Sequence, residues 1–240
     1  MRLSIWKLEW RIALRRRRLL LLNMGIPLLL VVPIAVGGAP AYHASAAYTV
    51  LFVLFASFGS AIPLLREGSE GLLRRIVLRG VPEPTLLGER VLASTGLDCL
   101  ELLPAIGAIL LVGRPDPTVW IALLPALVLS LLAANLVGVW VAAGARSIAE
   151  GALFASVVSL FLLHGSGVFR TPAPGGWGEA IEGLLPFSGL HEALFASAAG
   201  GDLPLTFGQV LLPTMSTGTF ALVTLLLAGT LIERITLPAH

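Results

Sequence analysis

Asp98 and Glu101 stand three residues apart inside an apolar run, STGLDCLELLPAIGAILL. A spacing of three puts both carboxylates on one side of a helix. Holding such groups in lipid costs several kcal/mol, so they must point into a bundle, a water-filled path or a partner subunit. Two accounts of them stand side by side. They pair with a nearby arginine such as Arg90, two turns away, or they line a path; in the second case Asp98, Glu101 or the equally isolated Asn135 is expected to face a subunit interface. His164, beside Gly165 and Gly167 near the end of another apolar run, is expected to serve helix packing or an interface, with ligand binding as the alternative.

Other chemistry is excluded by what the chain lacks. A phosphate-binding loop needs a lysine behind a glycine-rich turn. The sole lysine, Lys7, lies in a basic stretch with no glycine near it. Any ATP hydrolysis is therefore expected on a separate polypeptide, which would hold the ATP and magnesium, with no catalytic residue, metal site or cofactor in this chain. The single cysteine, Cys99, excludes an internal disulfide and a multi-cysteine zinc site. A serine nucleophile with His164 and Asp98 would need all three within hydrogen-bond reach. Their places in the apolar runs put Asp98 and His164 at different depths, so an enzyme is not expected.

The elements that must position these groups follow from composition. The chain has 240 residues, 56% hydrophobic and 12% charged, against about 25% charged in soluble domains. Most of its surface must therefore meet lipid. Six runs are long enough to span a bilayer: 19–38, 46–65, 92–112, 118–143, 148–168 and 206–231. The fourth and fifth are joined only by the turn at Gly144, Ala145 and Arg146. Of 16 basic residues, only Arg114 and Arg170 fall on the side opposite the N-terminus. The positive-inside rule then places both termini in the cytoplasm of a multi-pass inner-membrane protein. This clustering beside apolar spans is a topology signal, and no nucleic-acid partner is expected. The first apolar run, with Asn23, Pro27 and Pro33, is expected to be retained rather than cleaved as a signal peptide.

Residues 1–18 set Leu3, Trp6, Trp10, Ala13 and Leu14 on one stripe and Lys7, Arg11, Arg15 and Arg18 on another. That is the pattern of a helix lying in the headgroup layer. It either clasps the spans and a partner or serves as a plain topogenic anchor. On the outer side, 170–205 repeats Trp177, Ile181, Leu184 and Leu185, then Leu190, Leu194 and Phe195, at helical spacing. Two short helices broken at Pro186 are expected there, dipping into the outer leaflet.

The segment 66–90, REGSEGLLRRIVLRGVPEPTLLGER, gathers five arginines and four glutamates between spans two and three. A helical piece from Gly68 to Leu78 is expected, with Leu72, Leu73, Ile76 and Val77 on one side and Arg74, Arg75 and Arg79 elsewhere. Gly80, Pro82 and Pro84 break it, and Thr85 is placed to cap the helix that enters the third span. A short cytoplasmic helix with both faces occupied suits docking in another protein's groove; a solvated loop helix is the alternative.

These segments together resemble the type 2 ATP-binding-cassette permeases, the membrane halves of one class of bacterial exporter. WKLEWRIALRRRRLLLLNMGIPLLL is similar to that family's basic interfacial helix and first span. LLREGSEGLLRRIVLRGVPEPTLLGERVL is similar to its R-E-x-G-T-x-E-x-L segment, with Arg66, Glu67, Gly68, Glu70, Leu73, Pro82, Gly88 and Arg90 at or near corresponding positions. Ser69 and Gly71 stand where threonine and leucine-like residues are common. WGEAIEGLLPFSGLHEALFASAAGG is similar to the outer helices, matching at Pro186, Glu192 and Ala193, with Phe195 in place of a frequent arginine.

The resemblance covers essentially the whole chain and implies one all-α permease domain over 1–240, with 66–90 as its cytoplasmic coupling segment. Arg66, Glu67, Glu70, Leu73, Arg74, Arg75 and Arg79 would address two cytoplasmic ATPase subunits. A second copy, or a homologous permease, would pair along the first and fifth spans. Spans without clustered charge favour a hydrophobic or amphipathic cargo. A non-transporting scaffold, assembly or immunity subunit that recruits an ATPase is the second reading. The permease of haem export in cytochrome c maturation, which has a similar Glu-Gly-Ser stretch, is a variant of the first.

Overall fold

Lipid offers no hydrogen-bond partners, so an apolar chain must satisfy its backbone within itself, and helices do so. The computed structural model describes residues 5–170, 175–200 and 207–236, and no strand occurs among them. Eleven helices are described. They are α1 (Ile5–Arg15), α2 (Arg17–Val36), α3 (Ala41–Ser69), α4 (Leu72–Leu78), α5 (Glu83–Gly113) and α6 (Pro117–Gly144). Then come α7 (Ile148–Gly165), α8 (Trp177–Leu184), α9 (Pro186–Ala199), α10 (Phe207–Leu226) and α11 (Ala228–Thr236). Five are long and apolar enough to cross a bilayer, and a sixth span forms if α10 and α11 count as one bent helix. The protein is a multi-pass membrane protein.

Local chemistry sets the breaks. Asp116 caps α6 by accepting from the Thr118 N–H at 2.9 Å. Ser147 caps α7 by accepting from the Glu150 N–H at 3.1 Å, while Glu150 reaches back to the Arg146 N–H at 2.8 Å. That reciprocal exchange is close to a capping box. Pro27, Pro33, Pro63, Pro104, Pro125 and Pro213 all sit inside helices, which neighbouring helices in a membrane bundle tolerate.

The segment 66–90 departs from the sequence expectation in two ways. The helical piece does not begin at Gly68: α3 runs unbroken through Ser69, because nothing halts it before Gly71. There the backbone turns left-handed at φ 69°, a conformation glycine adopts without penalty. Thr85 does not cap the next helix either. α5 begins at Glu83, with Pro84 in its first turn, where a missing N–H costs no bond.

The sixth span also differs from one straight run over 206–231. The chain bends by 63° between Leu226 and Ala228. Ala228, Leu231, Ile232 and Ile235 recur at helical spacing and are all buried. Turning at Leu227 lays that stripe against the end of the bundle instead of leaving it in line with α10.

α3 and α6 form the central pair. Their contact is built from small residues, Ala56, Ser57, Ser60 and Ala61 facing Ala134, Gly138 and Ala142, which let backbones approach closely. A Cβ at Gly138 would sit 2.7 Å from the Ser57 carbonyl oxygen. One buried cluster lies toward the α8–α9 end, around Tyr48, Phe52, Leu127, Phe187 and Leu190. Another lies toward the α4 end, around Leu64, Leu73, Leu86 and Leu231. α9 does not merely dip into a leaflet. Its Phe187, Leu190, Ala193 and Leu194 are buried among α3, α5 and α6, so its backbone rests on protein. α8 buries nothing, leaving Trp177, Ile181 and Leu184 exposed.

Candidate functional site

Two polar regions stand out in this apolar body, one at the α4 end and one in the middle of the bundle. At the α4 end, α4 is pinned by Leu73, which is 1% exposed, with Ile76 and Val77 packed beside it on α3 and α11. Leu72, expected on the same apolar side, is exposed. Arg74, Arg75 and Arg79 point outward. Arg75 also bonds back to the Gly71 and Glu70 carbonyls at 3.2 and 2.9 Å, closing the αL turn. Arg66 and Glu70 form an exposed i,i+4 pair at 2.9 Å, a contact worth well under about 1 kcal/mol.

The residues grouped by sequence as one coupling surface are therefore divided. Arg66, Glu70, Arg74, Arg75 and Arg79 are on the outside, whereas Leu73 is the anchor. Glu67 turns inward to Arg90, whose guanidinium donates to Glu67 Oε1 at 2.7 Å and to Glu9 Oε1 at 2.6 Å. The Arg90 side chain is only 12% exposed. One cation thus joins α1, α3 and α5 by charge-assisted bonds, the strong kind. Glu67 Oε2 is buried without a partner. Burial pushes the Glu9 carboxyl up, Arg90 draws it back, and Glu67 pushes it up again, leaving it above the ordinary glutamate value. The Trp6 N–H, at the start of α1, reaches Glu89 at 3.3 Å, and the Trp6 and Trp10 rings lie 5.9 Å apart against Gly96 of α5. α1 clasps α5.

In the middle of the bundle, Asn135 of α6 is wholly buried and fully engaged. Its Oδ1 accepts from the Ser60 hydroxyl at 2.5 Å. Its amide donates to Asp98 Oδ2 at 2.7 Å and to the Leu131 carbonyl at 2.9 Å, with the Thr95 hydroxyl at 3.4 Å. α3, α5 and α6 are thereby tied through one side chain. Glu101 accepts from the Asn23 amide at 3.1 Å, joining α5 to α2. Asp98 and Glu101 are both buried, as their cost in lipid requires.

Their pairing with Arg90 does not occur. Eight residues of helix rise put Asp98 about 12 Å along the axis from Arg90, and that guanidinium is already held by Glu9 and Glu67. Asp98, Glu101 and Asn135 all lie inside the chain's own bundle rather than on an exposed face. His164 is exposed at the last turn of α7, and no described hydrogen bond joins it to Asp98 or to a serine. The Ser159 hydroxyl donates instead to Ser57 at 3.0 Å.

Sequence reasoning missed Ser60, Thr95 and Glu9 as partners. Glu9 had a signal: it is the one acid in an otherwise basic N-terminal helix. Ser60 had a weaker one, lying three residues after Ser57 on the small-residue face of α3. With that geometry established, no protein-family model matches the chain, and neither a curated protein nor a solved structure matches it.

Proposed function

We propose that this chain is the membrane-spanning permease subunit of an ATP-driven exporter of the type 2 ATP-binding-cassette kind. It works with a second permease, identical or homologous, and with cytoplasmic ATPase subunits that bind ATP and magnesium. The observation that carries this reading is α4: a seven-residue helix anchored by a buried Leu73 and presenting Arg74, Arg75 and Arg79 outward. A helix fixed on its inner face and basic on its outer face can receive a push and pass it to the spans. The positive-inside distribution of Lys and Arg supports a cytoplasmic placement of this end.

The surfaces of α2 and α7 support a second permease. Only 11% and 22% of their apolar windows are buried, the lowest among the five long helices. The absence of charge clusters along the spans fits a hydrophobic or amphipathic cargo.

Reversing the charge of Arg74, Arg75 and Arg79 together, each to Glu, tests the reading. The variant is expected to insert and melt like the parent while losing co-purification with the ATPase subunit. Unchanged association and unchanged export would overturn the assignment. A second reading, a non-transporting scaffold that recruits the same ATPase, has one observation in its favour. The polar groups able to line a path, Asp98 and Asn135, are bound to each other inside the protomer. Export from vesicles containing the complete assembly separates the two.

A further inference from the structure

α7 and α10 scarcely touch along their length, although α6 packs against both. The gap between them is a groove of about 570 Å³, floored by α6 from Ala133 to Gly144 and capped by the α8–α9 junction. Its size is that of a small-molecule site, about 300 to 1,000 Å³. Its floor covers eleven helical steps, roughly 16 Å at 1.5 Å each, so it is long, as a chain-shaped ligand requires. None of its lining residues is charged.

One unpaired polar group breaks the lining, since Ser216 and Trp140, the other polar lining residues, are both hydrogen-bonded. Thr217 of α10 lines the groove, is 3% exposed, and its hydroxyl has no hydrogen-bond partner. It is the one buried serine or threonine hydroxyl among the described residues in that condition. Thr49, Thr95, Ser197 and Thr224 each donate to the carbonyl four residues earlier. The neighbouring Ser216 bonds the Leu184 and Pro213 carbonyls, and Pro213 O is the oxygen that Thr217 would otherwise use. A buried polar group left unpaired costs about 1 to 3 kcal/mol, so Thr217 is an unmet hydroxyl in the wall of a slot otherwise suited to hydrocarbon.

We infer that this groove binds a neutral single-chain amphiphile, its acyl chain lying between α7 and α10 and its carbonyl or hydroxyl group bonded to Thr217. The neutral lining excludes recognition of a phosphate or carboxylate inside the groove, because a buried charge there would have no partner. A single orphan hydroxyl calls for a single polar group, and the long floor calls for a chain. As the cargo of an exporter this ligand rests on the permease reading; as a bound ligand it does not. Binding is measured on the purified chain without any ATPase, so failure here is distinct from failure of coupling.

The test uses the full chain in phosphatidylcholine vesicles and a diazirine-bearing monoacylglycerol as photolabel, with adducts mapped by peptide mass spectrometry. Saturable labelling is expected on the groove faces of α7 and α10, displaced by unlabelled monoacylglycerol. Val158→Trp, which fills the groove from a half-exposed position, is expected to abolish it. Thr217→Val is expected to weaken it about threefold, the scale of one average intramembrane hydrogen bond. Leu29→Trp, on the exposed face of α2, is expected to leave it unchanged. Labelling that is unsaturable and equal on α2 and α5 means bulk lipid only and overturns the inference. So does equal saturable labelling by a diazirine phosphatidylcholine, or chain-to-chain cross-links showing that a second copy fills the groove.

Discussion

The Arg90 guanidinium donates to Glu67 Oε1 at 2.7 Å, joining the first third of α5 to the foot of α3, and its other nitrogen holds Glu9 of α1 at 2.6 Å. Three helices that differ in character, one amphipathic and two spanning, meet on one cation.

Arg90→Met is expected to destabilise the protein by about 3 kcal/mol, because two partly buried carboxylates lose their counter-charge together. The triple variant Arg90→Met, Glu67→Leu, Glu9→Leu is expected to recover most of that loss. Thermal unfolding in detergent, followed by helix content, reads both. Recovery by neither the triple variant nor Arg90→Lys would mean that packing of the arginine stem, not charge, holds this corner.

Asn135→Leu removes the donor to Asp98 and the acceptor for Ser60 in one step. A loss of about 2 kcal/mol is expected, most of it the cost of leaving the Asp98 carboxyl without its 2.7 Å partner. In a double-mutant cycle, Asn135→Leu with Asp98→Leu is expected to cost less than the two single losses added. Strict additivity would show that the bond contributes nothing.

His191 of α9 is buried beneath the start of α3, its ring 5.3 Å from Tyr42 in an edge-on contact, with Nδ1 unpaired. Burial lowers its pKa below the ordinary 6.5, and a backbone hydrogen bond to Ser45 only partly opposes that. A base depressed in the fold binds fewer protons there than in the unfolded chain. Its contribution is complete above pH 6.5 and is lost as the pH falls below that value. Hydrogen exchange over 186–199 is expected to speed up, after correction for the intrinsic rate, as the pH falls below about 6.5. His191→Phe is expected to remove that pH dependence; an identical profile in the variant would assign it elsewhere.

The long helices were legible because lipid permits few solutions: runs of about 20 apolar residues become spans. Their starts at Pro40, Pro82, Asp116 and Ser147 were not, and Thr85 was the wrong start for α5. Burial of Asp98 and Glu101 was legible for the same reason. Their partners were not. Arg90 is 81 positions from Glu9 and 23 from Glu67, and nothing local favours that pairing over a pairing with Asp98 two turns up its own helix. The bend at Leu227 was hidden too, since 206–231 carries no charged residue to mark where the run stops. What decides it is where Leu231, Ile232 and Ile235 find surface to cover. Thr217 looked like any other helical threonine, and only the use of the Pro213 carbonyl by Ser216 sets it apart.

The bend has a mechanical corollary. α11 continues α10 without an intervening loop and shares its buried stripe with Leu73 of α4. It is nine residues long, about 13 Å, and lies between the basic helix α4 and the base of α10 while resting on α3, α5 and α6. Because α11 also rests on α3 and α6, a displacement of α4 that reached the base of α10 would have to be shared by that central pair, so the basic helix and the slot would move only as parts of one body.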